Sequence, residues 1–150
     1  GHYTQFAGDG LLALYGLEGD LQQGCRDALV GAAKIFDGLV VLNKRLEDEL
    51  DEPLRIGIGI HAGEAIVGIM GPPTAPILSA IGDNINIASR LEAKTKVFEC
   101  NIIISSDTVR HAGLIPDPAT EHRVDVRGRE GEVTVLALNS LNDIPGFYNI

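Results

Sequence analysis

Asp9, Asn86 and Arg90 are the residues in this sequence whose types and spacing suit phosphate chemistry. Asp9 sits between glycines in FAGDGLLALYG, residues 6–16. A carboxylate at a chain turn is compact and hard. It suits Mg²⁺, which takes one or two carboxylates and leaves other positions for phosphate oxygens. More plainly, Asp-Gly turns the chain, and one aspartate alone does not displace that reading. Asn86 and Arg90 are four residues apart in DNINIASRLEAKTK, so on a helix they share a face. There an amide can bond a sugar oxygen, and a guanidinium fork can bond two phosphate oxygens at once. Spacing alone favours a blander outcome, a polar stripe with Arg90 paired to an acid.

Other chemistries find less support. His61 stands at a strand end in GIHAGE with no second histidine at ligand spacing, and reads as structural. Asp83 reads as a helix cap. Neither a Walker phosphate loop nor a Gly-x-Ser-x-Gly elbow occurs, so P-loop hydrolysis and serine hydrolysis are unsupported. Cys25 and Cys100 form no Cys-x-x-Cys pair. A structural zinc site is not expected, and the count suits a reducing compartment.

The elements that must position these residues fit in one domain. The chain has 150 residues, 45% apolar and 22% charged, enough to bury a core without disulfide or metal staples. Net charge is −9, and the densest basic stretch is HRVDVRGR at 122–129. A duplex-binding surface needs clustered cations, so nucleic acid is not expected as a partner. An acidic chain that binds a polyanion needs a local cation, either a basic side chain or a metal ion. The uncharged stretch Ala65–Gly82 is broken by Pro72, Pro73 and Pro76, so this segment does not insert in a membrane.

Residues 2–7 and 11–15 flank the Gly8-Asp9-Gly10 turn as a hairpin. Apolar spacing predicts a helix from about Asp20 to Leu50, stopped by Pro53. Gly24, Gly31 and Gly38 recur every seven residues within it, on nearly one face, where close packing would explain them. RIGIGIHAGEAIVGIMG, residues 55–71, alternates with period two and reads as strand, turn at 62–64, and returning strand. ILSAIG is a strand entering the helix of Asn86 and Arg90, and NIIIS is a buried strand. Ser106 is expected to cap a short helix through His111. HRVDV and EVTVLAL form a last hairpin, and the tail, lacking periodicity, is expected to leave the domain. The whole is α+β with one largely antiparallel sheet.

Together, FAGDGLLALYG, RIGIGIHAGEAIVGIMG and IGDNINIASRLEAKTK resemble three successive signatures of the class III adenylyl and guanylyl cyclase catalytic domain, in matching order and spacing. VDVRGREGEVTVLAL resembles that family's closing hairpin, and the resemblance runs from about Tyr3 to Leu138. It implies a ferredoxin-like fold, mainly antiparallel with packed helices, working as a head-to-tail homodimer or with a cyclase partner domain. Active sites then lie at the interface and convert ATP, or GTP, to the 3′,5′-cyclic monophosphate and pyrophosphate. Two Mg²⁺ (or Mn²⁺) ions per complete site are implied, one lowering the pKa of the 3′-hydroxyl and one holding the triphosphate.

By the same resemblance Asp9 is the second of two metal-binding aspartates. Asn86 orients the ribose. Arg90 stabilises charge on the α-phosphate in the transition state. Arg127 lies near the triphosphate, with Arg129 a less favoured substitute. Asp9 comes from one subunit, Asn86 and Arg90 from the other. Gln5 and Ser79 stand where the family selects the purine. Adenylyl cyclases usually carry lysine and aspartate or threonine there, guanylyl cyclases glutamate and cysteine. Gln and Ser can each donate or accept; the absence of both guanine-selecting residues favours ATP.

The family's first metal aspartate lies in an earlier strand, followed by two helices, and has no counterpart here. The chain is therefore expected to be a fragment missing its first strand and helices, with 1–140 the partial catalytic domain and 141–150 a tail, and to be inactive alone. The expected location is cytoplasmic, including as the cytosolic domain of a larger or membrane-anchored protein. Two alternatives are a guanylyl cyclase and an inactive cyclase-homology domain that dimerises or senses a nucleotide. A diguanylate cyclase is disfavoured, because its Gly-Gly-Asp/Glu-Glu-Phe block is absent.

Overall fold

The computed structural model describes residues 1–7, 9–126 and 131–150, the side chains of residues 5–7 excepted. The first hairpin is as expected: β1 (His2–Ala7) pairs antiparallel with β2 (Gly10–Leu14), and Ala7 faces Gly10, so Asp9 lies in the turn. Helix α1 (Leu21–Arg45) starts at Asp20, whose carboxylate accepts from the Gln23 amide at 2.7 Å, satisfying an orphan donor of the first turn. It ends before Leu46, well short of Pro53. Asn43 explains the early stop. Its carboxamide donates to the Leu54 carbonyl at 2.9 Å and accepts from the Leu54 amide at 2.8 Å, folding the chain back beside the helix end. Pro53 punctuates that return, not the helix. Gly24 and Gly31 do mark close packing, against Gly16 and Tyr15, whereas Gly38 faces open space.

The remaining elements are β3 (Ile58–Ile60), β4 (Ile66–Met70), β5 (Ile77–Ile81), α2 (Asp83–Lys94), β6 (Ile102–Ser105), α3 (Ser106–His111), β7 (Glu121–Asp125) and β8 (Glu132–Leu138). A four-stranded sheet has the order β3-β6-β8-β7, with β3 parallel to β6 and the other pairs antiparallel. β1–β2 and β4–β5 are separate two-stranded sheets. The fold class is α+β and mainly antiparallel, as expected, but the strands form three sheets and not the single one expected, because β1–β2 and β4–β5 pair only within their own hairpins.

The predicted hairpin across residues 55–71 does not form. β3 pairs with β6, Ile58 facing Ile102, while β4 pairs with β5, Gly68 facing Ser79. The period of two in RIGIGI is real, but it serves two helices. A Cβ at Gly57 would meet Thr95, and one at Gly59 would overlap the α2 backbone at Ala88 and Glu92, so the glycine face lets α2 approach closely. Ile58 and Ile60 turn the other way and pack on the core beside α1. After β3 the chain is drawn toward α3, where the Ala62 amide donates to Thr108 Oγ1 at 2.9 Å. β4 finds its partner across the proline turn, closed by Ala75 N donating to Pro72 O.

β6 is the centre of the core. Ile102 and Ile104 pack with Leu29 and Val109 on the α1 and α3 side, and Ile103 packs with Ile87 and Leu91 of α2. Two further expectations change. Ser105, not Ser106, is the residue before α3, and Ser106 Oγ is buried without a partner among the described residues. The last ten residues pack back: Leu141, Ile144 and Phe147 are buried in the α1-side core. Leu141 and Phe147 each open a 3₁₀ turn and Ile144 follows the first, so the spacing of three is a period unlike that of an α-helix or strand.

Candidate functional site

Helix α2 carries the central pair. β5 runs into it through Gly82, whose φ of 146° is open to glycine and strained for other residues. Asp83 lies in the first turn and makes no capping bond, so it is not the cap expected. Its charge still suits a helix N-terminus. Ile87 and Leu91, one turn apart, are 2% and 0% exposed and fix the helix against the sheet. That leaves Asn86 exposed and Arg90 half-buried on the adjoining flank. Ion pairs among the described residues join Arg110 to Asp107 and Glu121, and Arg123 to Glu132. Neither Arg90 nor Asp9 enters one, so the blander expectation of an Arg90 ion pair is not what the described residues show.

Ser79 is half-buried in the middle of β5. Its cross-strand neighbour on the same face is Gly68, with open space where a side chain would stand. Nothing on that neighbour crowds the Ser79 hydroxyl. Asp9 is exposed in its turn, and β1 lies beside β5. No hydrogen bond or ion pair among the described residues links Asp9 to α2. The structure thus brings Ser79, Asn86 and Arg90 into one β5–α2 unit and keeps Asp9 on a separate hairpin. The Gln5 side chain, Arg127 and Arg129 lie outside the described residues.

Sequence reasoning missed a polar link at the start of α2. Asn84 Nδ2 donates to the Glu64 carbonyl at 2.8 Å, and Asn84 Oδ1 lies 3.0 Å from His61 Nε2. His61 Nδ1 lies 2.9 Å from Ser105 Oγ. The polar residues were visible at a strand end and in a first helical turn, but their meeting depends on tertiary placement. Beside this link an open depression of about 510 Å³ is lined by Glu64, Ala65, Ile66, Ile81 and Gly82. None of the candidate residues lines it.

No group of three or more His, Cys, Asp or Glu side chains able to hold a metal forms among the described residues. The exposed Asp9 carboxylate has the hard oxygen chemistry for one Mg²⁺ ligand, and substrate phosphates commonly complete such a shell. Burial pushes the Cys25 and Cys100 thiols up from their ordinary value, which argues against either as a nucleophile.

Comparison with known proteins bears on this geometry. The family model for the adenylate and guanylate cyclase catalytic domain matches residues 5–140. An adenylate cyclase of Anabaena cylindrica is 27% identical over 93% of this chain and 28% of its own length. An uncharacterized protein of Mycobacterium tuberculosis is 32% identical over 75% of this chain and 19% of its own. This chain thus spans less than a third of either relative. Among solved structures, the guanylyl cyclase Cya2 superposes with a TM-score of 0.78 at 25% identity, covering 93% of this chain and 70% of that one. The adenylyl cyclase CyaB from P. aeruginosa shares the fold, with a TM-score of 0.67 at 21% identity, over 90% of this chain and 69% of that one. This chain belongs to the adenylate and guanylate cyclase catalytic domain family.

Proposed function

We propose that this domain, within its full-length protein, converts ATP to 3′,5′-cyclic AMP and pyrophosphate at an interface between two copies. The supporting observation is α2: Asn86 and Arg90 stand one turn apart on a helix locked by Ile87 and Leu91, without an ion pair among the described residues. In this reading the Asn86 amide orients the ribose so that its 3′-oxygen meets the α-phosphorus in line. The Arg90 fork donates to α-phosphate oxygens and binds them more tightly as charge develops. Asp9 of the second copy holds Mg²⁺ or Mn²⁺, with two ions in a complete site. When bound, the metal neutralises the triphosphate and lowers the pKa of the 3′-hydroxyl. Arg127 neutralises triphosphate charge. Gln5 and Ser79 hydrogen-bond the purine edge.

The β4–β5 ribbon supports the second copy. It exposes Ile66, Met70 and Ile81 on one face and Val67 and Ile69 on the other. The ribbon adjoins β1 but leaves these side chains uncovered, and apolar exposure of this kind marks an interaction surface. A partner cyclase domain of different sequence is the other possible occupant. No helix among the described residues is long and apolar enough to cross a membrane. We place the domain in the cytosol, alone or within a larger or anchored protein.

Assay of the full-length protein with ATP and GTP in parallel, with Mg²⁺ or Mn²⁺, tests the reading. Cyclic AMP with equimolar pyrophosphate is expected, and chelation of the metal should abolish both. The TM-score of 0.78 with Cya2, a guanylyl cyclase, makes GTP the second reading. Turnover of GTP alone would replace the first. Turnover of neither would leave a domain that only dimerises or senses a nucleotide.

A further inference from the structure

We propose that His61 and Asn84 are positioning residues that hold the face of α2 bearing Asn86 and Arg90. What that face does rests on the cyclase reading above, whereas the clasp stands on geometry alone. α2 has no side-chain cap, because Gly82 occupies that place. Its first turn is tied sideways instead. Asn84 turns its amide nitrogen to the Glu64 carbonyl, so its oxygen faces the imidazole. His61 Nε2 therefore carries a proton and donates it, and in the neutral ring Nδ1 accepts from Ser105 Oγ. Ser105 Oγ then receives from Thr108 Oγ1 at 2.7 Å, which receives from the Ala62 amide at 2.9 Å.

With the imidazole neutral, the donors of this chain run one way, from the Ala62 amide to the Glu64 carbonyl. The far end is anchored, since Ser105 and Thr108 are each 1% exposed at the β6–α3 junction. The near end grips α2 two residues before Asn86 and six before Arg90, within a rigid two-turn span. A shift of the first turn moves both side chains. Gly63 keeps the slot clear: a Cβ there would overlap the Asn84 carboxamide.

Hydrogen–deuterium exchange and steady-state kinetics on the full-length protein test the clasp. In His61→Ala and in Gly63→Ala, amides of residues 86–90 should exchange about tenfold faster while those of β6 and β8 keep their rates. Gly63→Ala breaks the clasp without removing a hydrogen-bonding group, so it guards against a variant that merely misfolds. In both, kcat should fall about 10- to 100-fold with KM within about twofold, as expected when reacting groups are misplaced by about 1 Å. His61→Gln, whose amide can still donate to Asn84, should recover most of the loss. Unchanged exchange across residues 86–90 in both variants overturns the clasp. Faster exchange with unchanged kcat overturns its part in positioning. Should the wild type turn over neither nucleotide, faster exchange still upholds the clasp while the cyclase reading falls on its own.

Discussion

In β6, Ile102, Ile103 and Ile104 are each 0% exposed, whereas in β4 Ile66 and Ile69 are 70% and 76% exposed. The residue type is the same; what differs is that β6 is paired on both edges and covered on both faces, whereas β4 pairs with β5 alone. β6 lies between α1 with α3 on one side and α2 on the other. Among the described residues the β4–β5 ribbon has β1 beside it and no helix layer comparable to those on β6. A β-branched apolar run therefore specifies a strand and leaves open what covers it. In β6 the cover comes from this chain, and the proposal is that in β4–β5 it comes from a second copy.

Substitution at both places breaks the comparison if it fails. The largest effect is expected at Ile104→Ala, which empties a fully buried site and should cost about 2–5 kcal/mol in denaturant unfolding. Gly59→Ala should come next. Its Cβ would overlap the Ala88 carbonyl and the Glu92 amide, and forcing α2 away should cost about 1–3 kcal/mol. A paired Ile66→Lys and Ile69→Lys change should move the stability of the monomer by about 0.5 kcal/mol or less, because both side chains are already in water. It should nonetheless shift the protein to monomer in sedimentation and remove turnover with it. A large loss of monomer stability in that variant would mean the ribbon is covered from within.

Features set by neighbouring residues were legible. The β1–β2 and β7–β8 hairpins, the buried β6 and the shared face of Asn86 and Arg90 follow from turn residues and helical spacing. Features set by distant contacts were not. β3 alternates as a strand should, but nothing local says that Ile58 faces Ile102 instead of β4. The end of α1 depends on Asn43 reaching Leu54. Leu141, Ile144 and Phe147 repeat every three residues, too short a run to read as periodic. The candidate site divides the same way. Its residues were named individually, while the tie between His61 and Asn84 needed the fold.

Pairing two broken copies tests the shared site most directly. Full-length Asp9→Ala and full-length Arg90→Ala should each lose turnover, the second mainly in kcat by about 10²–10³-fold. Each fault lies in a different half of every site, so a mixed dimer keeps one site intact. Mixing the two proteins should restore cyclic nucleotide formation to about a quarter of the wild-type rate, since about half the dimers are mixed and each has one working site. Mixed dimers that form and stay inactive would contradict the account.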